Sequence, residues 1–262
     1  MDINLEGKRA LVCGSSQGIG KACAIELANL GASITLFSRN QASLDAVKAE
    51  LNTEHGQSHS VLVADFSQPE QVKSAIEAHI TDTGAIEILI NNTGGPAPGP
   101  AISTDSAAFT AAFDLHLVSN HHIVQALVPG MKDKQYGRII NVISTSVKQP
   151  IPGLGVSNTI RGAVASWSKT LAGELGPFAI TVNNVLPGAT ATARLDAIFA
   201  GKAKKLNLSI EQVIINEKQA IPLRRFAAPE EFAAVAAFLA SPAAGYISGI
   251  NLPVDGGRTA CL

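Results

Sequence analysis

Short apolar runs, mostly β-branched or aliphatic and bounded by Gly, Asn, Asp or Pro, recur along the chain. They fall at Arg9–Cys13, Ser33–Phe37, Ser60–Val63, Ile86–Ile90, Arg138–Ile143, Ile180–Val185 and Ile250–Val254. Runs this short without polar alternation predict strands buried on both faces, as in a parallel sheet covered by helices. Between them lie amphipathic stretches at Ile19–Leu30, Gln41–His55, Pro69–Thr83, Asp105–Lys134, Ser157–Leu175 and Pro229–Ala240, which predict helices. Pro69 and Pro229 each stand at a first helical turn, and Gly31 sits where a helix must stop. The alternation implies an α/β fold, a doubly wound parallel sheet of about seven strands.

Two stretches break the rhythm. Asn91–Pro100, NNTGGPAPGP, follows a strand and carries too much Gly and Pro for a helix. Ala189–Ile221 shows weak helical patterns with several lysines. Long insertions at strand ends of α/β proteins commonly cover a ligand, so a substrate-covering segment is expected at about 189–221. Neither stretch reads as a linker, and no internal repeat is present, which predicts one domain over residues 1–262.

Composition narrows the function classes. With 46% hydrophobic residues over 262 positions the chain can bury a large core, which excludes intrinsic disorder. Only 16% of residues are charged, against about 25% in an average domain, and the mean hydropathy is +0.22. That combination suggests surface hidden between subunits. Twenty basic and 21 acidic residues give a net charge of −1 without a basic run, which argues against nucleic acid or an anionic membrane as partner. Cys13, Cys23 and Cys261 have neither disulfide-framework nor metal spacing, so no metal is expected. The first residues, MDINLEGKRALV, do not resemble a signal peptide, and the longest apolar segment, Phe232 to Ala240, is too short to span a bilayer. A cytoplasmic location is expected.

Directly after the first strand comes Gly14-Ser15-Ser16-Gln17-Gly18-Ile19-Gly20, opening the first helix. Glycines there permit a tight turn and close backbone approach, and free N–H groups at a helix start attract a pyrophosphate. This predicts a Rossmann-type dinucleotide site, although the spacing G-x-x-x-G-x-G differs from the commoner G-x-G-x-x-G. At the end of the second strand stand Ser38 and Arg39, where an acid would accept from the adenosine ribose. An acid would repel a 2′-phosphate and Arg39 can pair with one, so NADP(H) is expected over NAD(H). A solvated turn arginine is the plain alternative.

These motifs resemble the short-chain dehydrogenase/reductase family over nearly the whole chain, and β-ketoacyl-carrier-protein reductases within it. Cys13-Gly14…Gly18-Ile19-Gly20 is similar to the family's glycine motif, with Cys for the usual Thr. Asp65, in Val63-Ala64-Asp65-Phe66, resembles the acid beside the adenine ring. Asn91-Asn92-Thr93-Gly94 resembles Asn-Asn-Ala-Gly after the fourth strand, and Gly137–Asn141 followed by Ser144 the fifth strand and catalytic serine. Pro187-Gly188 with Thr192 is similar to the segment holding the nicotinamide carboxamide, and Val254–Gly257 to the closing strand. The resemblance implies that cofactor contacts come from the glycine turn, Ser38, Arg39, Asp65, Phe66, Asn92, Thr93, Gly94, Pro187, Gly188 and Thr192. It also implies a homodimer or homotetramer built through the two helices Asp105–Lys134 and Ser157–Leu175 and the closing strand.

The departures fall on the catalytic positions. Counting from Ser144, the family's tyrosine falls on Ser157, its lysine on Arg161 and its helix-kink asparagine on His116. Tyr136 and Tyr246 are the only tyrosines and neither has a lysine four residues on. Serine is far too weak an acid to replace a phenol, and arginine, with its pKa above about 12, passes no proton. Ser157 and Arg161 stand four apart on one helix and face the same space. His116, titrating ordinarily near about 6.5, is the candidate replacement acid, or else a histidine filling the asparagine's structural role. Lys148 is the runner-up acid. Three functions stay open: an NADP(H)-dependent oxidoreductase acting on a small carbonyl or alcohol substrate, 3-oxoacyl-like in one version; a catalytically silent NADP(H)-binding protein; and a non-redox enzyme using the same pocket.

Overall fold

The computed structural model describes residues 1–261. Seven strands form one sheet: β1 (Arg9–Cys13), β2 (Ser33–Ser38), β3 (Ser60–Val63), β4 (Ile88–Asn91), β5 (Gly137–Val142), β6 (Ile180–Pro187) and β7 (Asn251–Val254). All pairings are parallel, in the spatial order β3-β2-β1-β4-β5-β6-β7. The α/β sheet therefore has the seven strands expected. The fourth begins two residues later than its apolar run, because Glu87 joins the pairing only by accepting from the Arg138 amide and donating to the Arg9 carbonyl.

Among the described residues nine α-helices flank the strands: α1 (Gly18–Asn29), α2 (Gln41–Lys48), α3 (Pro69–Thr83), α4 (Ser106–Phe113), α5 (Ser119–Asp133), α6 (Gly155–Leu175), α7 (Ala193–Leu206), α8 (Ile210–Gln219) and α9 (Pro229–Ala240). Helix α2 stops well short of the expected His55, since polar Asn52, Glu54 and Gln57 close local side-chain turns instead. Ala189–Ile221, expected to cover the substrate, contains α7 and α8. A buried Glu217 pairs with Lys202 and, at 3.0 Å, with Arg258, tying both helices to the C-terminal segment.

The strand side chains alternate between two cores. Ala10, Val12, Ile88, Ile90, Ile140 and Val142 face α1 and α9, while Leu11, Cys13, Leu89 and Ile139 face α3, α5 and α6. Helices α1 and α9 meet through small residues, Ala22, Ala24 and Ala28 against Ala233, Ala236 and Ala237, which lets them pack closely. Among the described residues no helix is long and apolar enough to cross a membrane, and no group of three or more His, Cys, Asp or Glu could hold a metal ion.

One polar feature crosses this apolar frame. Asn91, Asn141, Asn184 and Asn251 stand in register on β4 to β7. Asn91 donates to Asn141 at 2.8 Å, Asn141 to Asn184 at 3.1 Å, and Asn184 to Asn251 at 2.8 Å. Ser168 of α6 accepts from Asn141 and donates to Asn184. The chain is satisfied except at its inner end, where the buried Asn91 Oδ1 has no partner among the described residues. In a low-dielectric interior such linked amides hold one another, and each missing link leaves an amide unpaired.

Candidate active site

The strand order reverses between β1 and β4, and ligands of doubly wound sheets bind outside the carboxyl ends at that point. Both ends are built for close approach. Gly14 and Gly18 have left-handed backbones, at φ +60° and +55°. A Cβ on Gly14 would stand 2.5 Å from the Asn92 carbonyl oxygen, and one on Gly20 would overlap the Gly14 carbonyl. Asn92 donates weakly to the carbonyls of Cys13 and Gly14, fastening the β4 end across the turn. Helix α1 has no side-chain N-cap, so its first N–H groups are free for an anion. Thr192, which caps α7, lies over the turn, its methyl 3.2 Å from where a Gly18 Cβ would be. A Cβ on Gly188 would stand 2.5 Å from Asp255 Cα. The residues fit a dinucleotide: a cradle without side chains, capped by Thr192.

Not every expected contact uses its side chain here. Ser15 is fully buried and accepts from the Phe37 amide at 2.9 Å. Phe66 is buried against Phe37, with ring centroids 4.7 Å apart, and its carbonyl accepts from Ser119. Both side chains are engaged inside the fold, so contact of Ser15 or Phe66 with a cofactor would fall to the backbone; Ser16 and Gln17 lie on the open side of the turn. The Ser38 hydroxyl is buried without a partner. Arg39 is exposed, 3.9 Å from Asp65, and free to turn towards a phosphate. The Ser67 amide, aided by Arg39, holds the Asp65 carboxyl below its usual range. Gly94 has nothing against it.

The candidate catalytic positions Ser144, Ser157 and Arg161 lie just past β5 and on the first turns of α6. Ser144 stands two residues past β5 and caps a single 3₁₀ turn, accepting from the Ser146 amide at 3.0 Å. The loop after β4 docks on the start of α6, where Gly99 accepts from the Gly155 amide at 2.9 Å and donates to Gly153 at 2.7 Å. That contact sets the position of half-buried Ser157. Arg161 is 8% exposed and donates to the Val142 carbonyl at 3.0 Å.

His116 sits in a π-helical turn, Asp114–Val118, joining α4 to α5. One extra residue per turn re-aims a side chain, and such turns are common at functional sites. The imidazole is 1% exposed, Nδ1 lies 2.6 Å from the Thr93 hydroxyl, and Nε2 has no partner. Burial first, then Arg161 and Arg194, push its pKa down to about 2. His116 is therefore neutral at physiological pH, which goes against an imidazolium acid and fits the alternative of a structural histidine: its surroundings are buried and positive.

Sequence reasoning missed Arg194, which lies two residues past Thr192 and reaches back across the cleft to donate to the Gly95 carbonyl at 3.3 Å. Its place next to an expected cofactor residue was the available signal.

A Rossmann-type sheet with a glycine cradle at its switch point and a serine beside it defines a nicotinamide-dependent oxidoreductase. A family model described as enoyl-(acyl carrier protein) reductase matches residues 14–259; the chain belongs to the short-chain dehydrogenase/reductase family. It is 32% identical over 251 residues to the NADPH-dependent reductase BacG of Bacillus subtilis, covering 95% of this chain and 97% of that one. It is 31% identical over 258 residues to the 3-oxoacyl-[acyl-carrier-protein] reductase FabG of Haemophilus influenzae, covering 97% and 98%. Among solved structures it resembles L-sorbose reductase of Gluconobacter frateurii in complex with NADPH and L-sorbose, at TM-score 0.93 and 30% identity over all of both chains. It also resembles YwfH, an NADPH-dependent reductase involved in bacilysin biosynthesis, at TM-score 0.92 and 32% identity, covering 97% and 99%.

Proposed function

We propose that this protein is an NADP(H)-dependent reductase of a small carbonyl compound, working without the tyrosine and lysine of its family. The observation that carries this is the intact cradle at Gly14, Gly18 and Gly20 with Arg39 at the adenosine end, beside Ser144. BacG and L-sorbose reductase, which use or bind NADPH by their own descriptions, support the cofactor.

A nicotinamide dinucleotide held by the glycine turn and Arg39 would supply the hydride. Ser144 and Ser157 orient the carbonyl by hydrogen bonding, and Arg161 keeps a positive charge behind them that favours developing oxyanion character. Arg161 also occupies the lysine's place for donating to the nicotinamide ribose. Burial, then Arg194, lower its pKa to about 10, which still leaves it charged at neutral pH. With His116 neutral, the proton that completes the alcohol comes from water ordered at the two serines. Helices α7 and α8 cover the substrate, and the chain assembles as a dimer or tetramer through α5 and α6.

The test is NADPH oxidation followed at 340 nm against a panel of ketones, β-ketoacyl thioesters, quinones and keto acids. Turnover is expected, with a Ser144→Ala variant slowed about 100-fold, the scale of one lost oxyanion donor. Tight NADPH binding with no turnover anywhere on the panel would favour a silent nucleotide-binding protein. Product without a nicotinamide absorbance change would point to a non-redox enzyme.

A further inference from the structure

Two guanidinium groups from distant parts of the chain converge on one loop. The Nη2 of Arg194, at the start of α7, lies 2.7 Å from the point a Gly95 Cβ would occupy, and the Nη2 of Arg161, on α6, lies 3.7 Å from it. Arg161 is more than nine-tenths buried and Arg194 is exposed at the rim. Among the described residues neither forms an ion pair with a carboxylate. Arg161 has one backbone acceptor, Val142, and Arg194 one, Gly95.

Like charges so placed repel one another, and a low-dielectric wall strengthens the repulsion. Proteins rarely leave a buried cation unpaired. A second observation belongs to the same loop: the buried imidazole of His116, held through Nδ1 by Thr93 two residues before Gly95, has an Nε2 without a partner among the described residues. The Gly95 loop thus faces two guanidinium groups that no carboxylate pairs among the described residues.

We infer that the substrate is an anion, a keto acid whose carboxylate is clamped between Arg194 and Arg161 while its carbonyl meets Ser144 and Ser157. Planar guanidinium donors match a carboxylate bidentately. Arg161 and Ser157 are one helical turn apart, and positions so related have Cβ atoms about 6 Å apart. One small keto acid can therefore be held at both ends from neighbouring turns of α6. This rests on the reading of the cleft as a carbonyl reductase site, and names its substrate class.

The experiment compares two ligands of one shape, cyclohexanecarboxylate and cyclohexanecarboxamide, by calorimetric titration of the NADPH-saturated protein at low ionic strength. The acid is expected to bind at least 10-fold more tightly than the amide. Arg194→Met should remove that preference, with the amide changing less than twofold, and Arg194→Lys should restore part of it. Thermal unfolding confirms that both variants fold. Equal affinities, no carboxylate binding at millimolar concentration, or a preference that survives Arg194→Met would overturn the inference. The same titration without nucleotide reads the arginines alone. Failure to bind NADPH would therefore sink the reductase reading, while the acid–amide comparison still decides this one.

Discussion

Thr93 and His116 are joined by a 2.6 Å hydrogen bond that links the loop after β4 to the π turn between α4 and α5. The bond uses Nδ1, so the tautomer with a Thr93 donor places the imidazole proton on Nε2. Every nearby force keeps the ring neutral: it is buried, and both neighbouring charges are arginines.

That neutrality has a pH signature. An unfolded histidine titrates near about 6.5, and here the folded pKa is about 2. Between those values the unfolded chain binds the extra proton, so this contribution is full above pH 6.5 and is lost as pH falls. At about 1.4 kcal/mol per pH unit the loss between pH 6.5 and 4.5 is on the order of 2–3 kcal/mol. Urea unfolding of the wild type and His116→Asn at both pH values checks it. The Asn variant should gain on the wild type by that amount at pH 4.5, and parallel profiles would contradict the assignment.

The cradle predicts a contrast between two glycines. Gly14→Ala forces a left-handed alanine, costing about 1–2 kcal/mol, and drives a methyl towards the Asn92 carbonyl. It should weaken NADPH binding more than 10-fold in a fluorescence titration and lower the melting temperature. Gly173, exposed in α6 with nothing within 4 Å of a built Cβ, should gain about 0.5–1 kcal/mol as alanine, with NADPH affinity unchanged.

Cofactor choice should rest on Arg39. Its side chain is 75% exposed and the one carboxylate it pairs with among the described residues, Asp65, lies 3.9 Å away, a pairing worth about 1 kcal/mol at most. A charge-assisted bond to a 2′-phosphate is worth about 1.5–3 kcal/mol. Arg39→Ala should therefore weaken NADPH binding by roughly 10- to 100-fold and leave NADH nearly unchanged. Equal losses for both nucleotides would remove Arg39 from the 2′-phosphate site.

Much of the frame was legible in the sequence, and the reasons are physical. Pro69–Thr83 and Pro229–Ala240 begin and end as expected because proline at the first turn fixes the start. The Asp105–Lys134 pattern kept its apolar face but hid the π turn, which adds a residue without disturbing that face. The asparagine ladder was invisible for a different reason. Its members are about 50 residues apart in sequence, and only strand register brings them together. Arg194 was missed likewise: its partner Gly95 lies across the cleft, 99 positions away.

The ladder also makes a prediction. Asn141 is at its centre, 1% exposed, donating to Asn184 and Ser168 and accepting from Asn91. Asn141→Ala strands the Asn91 amide and opens a cavity, and should cost about 2–4 kcal/mol in urea unfolding. Asn251 is exposed at the outer end, so Asn251→Ala should cost under about 1 kcal/mol. Equal costs would mean that the four amides act as independent pairs.

The decisive chemical prediction concerns the two replaced positions. Ser157→Tyr with Arg161→Lys reinstates a phenol and an ammonium one turn apart on α6, in front of a cradle that needs no alteration. A phenol beside a lysine is a far better proton donor than water at a serine. The double variant should gain at least 10-fold in kcat on a neutral ketone, within the usual range for a positioned general acid. Its pH profile should acquire an alkaline limb where the phenol ionises, which the wild type lacks. The lysine gives up the Val142 hydrogen bond of Arg161, so the single Arg161→Lys variant should be less stable and no faster. If the double variant binds NADPH yet gains nothing, the remaining cleft, Arg194 and His116 foremost, has been reshaped around a substrate the family's usual pair cannot serve.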